Sequence, residues 1–293
     1  MFYIDAFLVR QLITEQFPQW KNLEIKPVEF GGWDNRTFHL GKNMTVRLPS
    51  GEEYQDQVKK EQFWLPKLAS FLSMKIPVPL GMGKPTDNYP FNWSIYAWID
   101  GETLSIERID DLSQCAINLA CFLISLQKID PTNGPKNFGR GSSLLKIYDT
   151  EAQWAIKTLG KTIDTYIVSK IWAIALASVW TNPPIWFHGD IAVGNLLVKN
   201  GKLSAVIDFG SMGIGDPACD LAIAWTFFQG ESRNVFRKAL KLDENTWLRG
   251  RGWALWKALI VAAKLEGTNC TEIEIKKSKK IIDEIVADYS QKN

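Results

Sequence analysis

The chain has 293 residues, 46% of them hydrophobic and 23% charged, with 34 Lys plus Arg against 32 Asp plus Glu for a net charge of +2. That length exceeds one compact core and predicts one large domain or two packed lobes, and the composition excludes a fibrous or largely disordered chain. The near-neutral charge gives no electrostatic reason to expect nucleic acid as the main partner.

The chain opens on Met1, Phe2, Tyr3, Ile4 and Asp5, without the basic start of a signal peptide, and predicts an amphipathic helix. Residues 23–30, 36–40 and 44–48 read as strands of an antiparallel meander. Turns separate them at Gly31, Gly32, Trp33, Asp34 and Asn35 and again at 41–43. Residues 52–64 predict a helix, with Pro66 placed to begin a second short one. Strands follow at 76–80 and 93–99. Beyond Asp100 and Gly101 the pattern turns helical, at 109–129, 151–159, 166–180, 221–228 and 247–265, with brief strands at 196–198 and 204–207. A small β-rich lobe over 1–98 and a larger helical lobe over 99–293 are therefore expected, joined near Trp98 to Gly101.

Several features narrow the function further. Cys115, Cys121, Cys219 and Cys270 show no CxxC spacing and have only His39 and His188 beside them, which argues against a zinc site or a disulfide framework. The longest apolar stretch, 116–126, contains Asn118 and is too short for a bilayer, so a cytoplasmic protein with no membrane partner is expected. Lys276, Lys277, Lys279 and Lys280 share a C-terminal helical pattern with Ile273, Ile281, Ile282 and Ile285 and read as a solvated helix face.

The most specific signal is His188-Gly189-Asp190-Ile191-Ala192-Val193-Gly194-Asn195, followed by Ile207-Asp208-Phe209-Gly210. The first resembles the kinase catalytic loop HxDxxxxN and the second the DFG element, in the matching order. Phosphoryl transfer needs a hydroxyl held in line with a phosphorus atom, an acceptor for its proton, and divalent metal to offset phosphate charge. Asp190 is the candidate base or hydroxyl-orienting group, and Asn195 and Asp208 are hard oxygen ligands of the type Mg2+ prefers. A hairpin turned by Lys199-Asn200-Gly201 is expected to carry Asn195 and Asp208 on neighbouring ends. The same Asp, Asn and Gly residues also suit ordinary turns. His188 is assigned no proton transfer.

With Trp186-Phe187-His188-Gly189-Asp190, Asn195-Leu196-Leu197-Val198, Ala205-Val206-Ile207-Asp208-Phe209-Gly210 and Gly215-Asp216-Pro217-Ala218-Cys219-Asp220-Leu221-Ala222, the chain resembles the aminoglycoside and macrolide phosphotransferases. Gly189 stands where protein kinases usually carry Arg. The resemblance implies an α+β, protein-kinase-like bilobal fold and an ATP- or GTP-dependent transfer to the hydroxyl of a small molecule, an aminoglycoside- or macrolide-like antibiotic. It implies that Asp220 anchors structure rather than catalysing. Asp216 before Pro217 reads equally as a helix N-cap and as a site residue.

The resemblance also covers the first hundred residues. Thr45-Val46-Arg47 falls where the third strand ends in a nucleotide-binding Lys, so Arg47 replaces Lys, as in the Val-Arg-Leu-Pro strand end of macrolide-kinase-like relatives. Glu61 would be its helix partner, the pair holding the α- and β-phosphates, since Arg grips phosphate bidentately. Residues 95–98, with Tyr96 and Trp98, would form the hinge whose backbone pairs with the nucleobase. The Gly31-Gly32 turn would drape over the phosphates.

A polycationic acceptor demands a carboxylate-rich pocket and a macrolide an apolar one. Asp100, Glu102, Glu231 and Glu266 offer the first, and Trp154, Trp180, Trp225, Trp253 and Trp256 the second. Two alternatives share the motifs: a metabolic kinase of choline, homoserine or sugar type, and a nucleotide-binding pseudokinase. A protein kinase fits less well, because Gly215-Asp216-Pro217 stands in place of an activation loop.

Overall fold

The computed structural model describes residues 3–29, 32, 34–136, 139, 141, 145–268 and 270–291. The chain divides into two compact units, the first comprising Met1–Glu102 and Ser204–Gly210 and the second Thr103–Leu203 and Ser211–Asn293.

In the first unit Asp5 accepts the Leu8 N–H at 2.9 Å and so caps α1 (Ala6–Gln16), whose Leu8, Val9, Leu12 and Ile13 fall on one buried face. Next come β1 (Ile25–Pro27), β2 (Asn35–Leu40), β3 (Met44–Pro49), α2 (Gln55–Ala69), β4 (Pro79–Gly83) and β5 (Trp93–Ala97). The strands pair antiparallel in the order β1-β2-β3-β5-β4.

Strand alternation sorts this sheet into two faces. Phe38, Leu40, Val46, Leu48, Trp93 and Ile95 form a core with the apolar side of α1. The residues between them make the other face polar. The register sets Thr45 between His39 and Tyr96, and Arg47 between Thr37 and Ser94. The sequence therefore builds a greasy side for stability and a polar side for chemistry from the same strands.

Three expectations need correction here. The strand expected over 23–30 is confined to Ile25–Pro27, and its last residue, Phe30, lies outside the described residues, as do Gly31 and Trp33 of the glycine turn. Pro66 does not begin a second helix, because α2 runs through it. Its missing N–H falls in the last turn, and Leu65 and Leu68 on either side are buried at 0% and 1% exposure, so packing outweighs one lost hydrogen bond. The strand expected from 76 starts instead at Pro79, a strand-opening position that requires no backbone donor.

The chain continues through β6 (Glu102–Thr103), α3 (Leu112–Gln127), α4 (Asp149–Leu159), α5 (Thr165–Ala177), β7 (Ile185–Phe187), β8 (Leu196–Lys199), β9 (Lys202–Val206), β10 (Gly213–Gly215), α6 (Ile223–Thr226), α7 (Gly230–Leu240), α8 (Glu244–Ala262) and α9 (Glu272–Ser290). Acidic or hydroxyl caps start four of these helices: Asp111, Asp164, Asp243 and Thr271 each accept a backbone N–H three residues on. Within the second unit α8 is buried on almost every side and packs on α4, α5 and α9. A Cβ at Gly252 would lie 2.6 Å from the Ala175 Cβ, so this glycine sets how near α8 comes to α5. The Asn200-Gly201 turn has φ of 52° and 72°, the pair a two-residue hairpin turn requires. Among the described residues no helix is long and apolar enough to cross a membrane.

Candidate active site

The sequence-predicted site residues fall into two clusters. Arg47, Glu61, Tyr96, Trp98 and Asp208 belong to the first unit, and Asp190 and Asn195 to the second.

In the first cluster β3 delivers Arg47 to the polar face and α2 brings Glu61 to meet it, with Arg47 Nη1 3.7 Å from Glu61 Oε1. The guanidinium makes a closer bond to a carboxylate 161 positions away: Nη2 lies 2.9 Å from Asp208 Oδ1. Tyr96 donates its phenol O–H to Glu61 Oε2, and the Arg47 guanidinium sits 5.9 Å from the Tyr96 ring centre. Glu61 Oε1 accepts no hydrogen bond among the described residues, and charge ties it to Arg47. Burial works against the charge on Arg47, but Asp208 and then Glu61 hold its pKa above the ordinary value. Burial pushes the Glu61 carboxyl up, and Arg47 pulls it back. Burial, then Glu61, drives the Tyr96 phenol well above its usual range.

The turn carrying Asp208 is pinned within the same unit. Lys60 Nζ donates to the Gly210 carbonyl at 2.6 Å, and Val206 N–H to Lys75 O at 3.0 Å. Asp208 itself has φ of +65°, a left-handed conformation that costs a non-glycine residue and recurs where side chains are aimed for function. Trp98 gives its N–H to Asn43 O at 2.8 Å, and its ring meets that of His39 at a 51° tilt with centres 4.3 Å apart. The hinge amide at this residue is thus already bonded, and the next one, at Ile99, is unpaired among the described residues.

The second cluster rests on a buried carboxylate. β7 pairs with β10, Phe187 opposite Gly213, and leads directly into His188. Asp220 then accepts the His188 N–H and the Gly189 N–H, each at 2.8 Å, fixing the loop by its backbone. Burial pushes the Asp220 carboxyl up to about 7, against the pull of those two donors. His188 is fully buried and its Nδ1 accepts the Asp190 N–H at 3.2 Å. Gly189 has φ of +89°, and a Cβ there would lie 2.3 Å from the Ser211 carbonyl oxygen; the loop therefore requires glycine at this slot. Asn195 Nδ2 reaches both the carbonyl and Oδ2 of Asp190 at 2.9 Å.

That orientation bears on metal binding. With its amide nitrogen committed to Asp190, Asn195 presents Oδ1 with no protein donor among the described residues. Asp208 offers a carboxylate whose side chain is 34% exposed. Each is by itself a hard oxygen donor of the kind magnesium accepts when waters and phosphate complete its shell.

Asp190 lines a cleft of about 960 Å³ within the second unit, between its own loop, the 219–229 segment, α8 and α9. Trp225, Trp253 and Trp256, read from the sequence as candidate apolar walls, do line it; Trp154 and Trp180 do not. Asp100, Glu102, Glu231 and Glu266 are absent from the lining, whose acidic residues beside Asp190 are Glu274, Asp283 and Glu284 of α9. Arg233, which no sequence motif marks, also lines the cleft. It bonds Ala224 O at 2.6 Å, Phe228 O at 3.1 Å and Glu284 Oε1 at 2.7 Å, tying the aromatic segment to α9. Asp216 proves to be the cap of the following turn, accepting the Ala218 N–H at 3.0 Å and pairing with Arg249 at 2.6 Å.

Known proteins share this plan. The family model described as Phosphotransferase enzyme family matches residues 24–254. The aminoglycoside 3'-phosphotransferase of Salmonella typhimurium is 28% identical over 167 residues, 50% of this chain and 58% of that protein. The chain thus aligns with little more than half the length of this curated relative. The GDP complex of wild-type aminoglycoside 2'-phosphotransferase-IIIa superposes with a TM-score of 0.74 at 17% identity, covering 98% of this chain and 100% of the other. The macrolide 2'-phosphotransferase of Brachybacterium faecium gives 0.63 at 15% identity over 95% and 98% of the two chains. The expected α+β fold is the fold of these structures.

Proposed function

The chain belongs to the phosphotransferase enzyme family, and we propose that it transfers the γ-phosphoryl group of ATP or GTP to a hydroxyl of a small, antibiotic-like molecule in the cytoplasm. Residues 1–98 act as the nucleotide-binding lobe and 99–293 as the catalytic and acceptor-binding lobe. The observation that carries this reading is Asp190: a carboxylate braced by Asn195, on a loop bolted to Asp220, at the wall of a cleft large enough for a drug-sized acceptor. In the reaction the acceptor oxygen bonds to phosphorus, the bond from phosphorus to the nucleoside diphosphate oxygen breaks, and the hydroxyl proton passes to Asp190. Arg47, kept charged by its acidic neighbours and paired with Glu61, holds nucleotide phosphate. Asp208 and Asn195 would hold Mg2+, which when bound would neutralise charge on the phosphate oxygens.

The cleft lining favours one kind of acceptor. Asp190, Glu274, Asp283 and Glu284 are matched by Arg233, Lys257, Lys277 and Lys280, over walls of Trp225, Phe227, Phe228, Trp253 and Trp256. A polycation gains little from a charge-balanced site, whereas a broad apolar face gains from every ring it covers. The acceptor is therefore macrolide-like rather than aminoglycoside-like. The test is nucleotide consumption by the full chain with Mg2+, ATP or GTP, and a panel of macrolides, aminoglycosides and metabolic alcohols. Turnover dependent on a macrolide, and lost in Asp190→Ala, is the expected result. Turnover confined to choline, homoserine or a sugar would replace the antibiotic reading with a metabolic one, and nucleotide binding without any turnover would mark a pseudokinase.

A further inference from the structure

The polar face of the first unit's sheet holds one group that phosphate binding does not use. Thr45 lies two residues before Arg47 on β3, roughly 7 Å along the strand and on the same face. It is 9% exposed, and its Oγ1 has no hydrogen-bond partner among the described residues. Valine would fill the same space and suit a strand equally well, without the penalty of a buried, unsatisfied hydroxyl. The hydroxyl is thus a standing cost in the free protein, of the kind a ligand removes.

Its surroundings indicate which ligand. Across the sheet Thr45 faces His39 on β2 and Tyr96 on β5. The His39 ring meets that of Trp98, tilted, just past the end of β5, and beyond Trp98 the Ile99 N–H is unpaired among the described residues. One surface therefore presents a phosphate-binding guanidinium, a buried hydroxyl one strand step away, and a backbone donor past the strand end. Along the strand the cation and the hydroxyl follow one another on a single face, as the phosphates and base follow one another along a nucleotide.

We infer that Thr45 Oγ1 hydrogen-bonds an edge atom of the purine while Arg47 holds the phosphates, which makes Thr45 a specificity-determining residue for the choice of nucleotide. The inference rests on the nucleotide reading given above. A hydroxyl both donates and accepts, and the edges of adenine and guanine differ in donors and acceptors, so the two purines present Thr45 with different partners.

Calorimetric titration of the full chain with ADP, GDP and inorganic tripolyphosphate tests it. Thr45→Val is expected to weaken the better-bound purine nucleotide by about 2- to 10-fold, the worth of one hydrogen bond, and to leave tripolyphosphate binding unchanged. Thr45→Ser, which restores the hydroxyl, is expected to recover wild-type affinity. The melting temperature of unliganded Thr45→Val should equal or exceed that of the wild type, and Thr45→Ala provides a second hydroxyl-free variant if the valine chain does not fold. Unchanged affinity for both nucleotides, or an equal loss for tripolyphosphate, overturns the assignment of Thr45 alone. A wild-type chain that binds neither ADP nor GDP overturns the nucleotide reading itself.

Discussion

The two clusters place carboxylates in opposite ways. In the first, charge answers charge: Arg47 lies between Asp208 and Glu61, with the Tyr96 phenol on Glu61, and burial strengthens every contact by excluding water. In the second, the acid is placed by neutral groups. Asp190 takes the Asn195 amide, and its loop hangs on backbone N–H groups held by Asp220. A phosphate-binding cation gains from acidic neighbours that keep it charged and aimed. A proton acceptor beside a cation would lose basicity, so it is better fixed through backbone and amide.

Substitutions can break this contrast, and the largest effect belongs to Asp190. Asp190→Ala should lower the turnover number by about 10²- to 10⁴-fold, the range for removing a general base, with nucleotide affinity by calorimetry nearly intact. Equal loss in both would mean that the second cluster also binds nucleotide. Arg47→Met leaves Glu61 buried without its cation and should cost about 3–5 kcal/mol of stability in urea unfolding. A cost below 1 kcal/mol, on the order of an exposed pair, would show that the first cluster is not held by charge.

Asp220 gives the contrast a pH signature. Burial keeps its proton on in the folded chain up to about 7, whereas an unfolded Asp releases it near 4. Between those values the folded state binds more protons than the unfolded, so stability falls as pH rises, by up to about 1.4 kcal/mol per pH unit. Melting curves from pH 4 to 8 should show this decline, and Asp220→Asn should flatten it. Gly189→Ala, forced into a left-handed conformation against the Ser211 carbonyl, should cost about 1–3 kcal/mol in the same unfolding assay. Lys60→Met removes one bond to the Gly210 carbonyl and should cost only about 0.5–1.5 kcal/mol.

What was legible in the sequence followed the range of the signal. Asp190 and Asn195 are five positions apart, and their spacing alone marked a loop that the structure closes with a direct hydrogen bond. The partnership of Arg47 with Asp208 spans most of the chain, and no local pattern encodes it. Strands β7 and β10 have three residues each, too few to show alternation, and two of the three in β10 are glycines. Helix α7 is amphipathic, but it is only eleven residues long and opens on Gly230 and a polar run, so its buried anchors Phe236 and Leu240 stand isolated among charged residues. The acidic side of the cleft failed for a different reason. Glu274, Asp283 and Glu284 sit on the polar stripe of α9, and a stripe facing a cleft has the same period as one facing water.

The first unit is also discontinuous, since Ser204–Gly210 belongs to it although more than a hundred residues of the other unit intervene. A gene fragment ending at Glu102 would encode Arg47 and Glu61 without Asp208, and Lys75 without the strand it pairs at Ala205. Chimeras between relatives therefore need two crossovers more than the apparent seam implies. A recombinant that exchanges only the amino-terminal segment inherits its guanidinium from one parent and the matching carboxylate from the other.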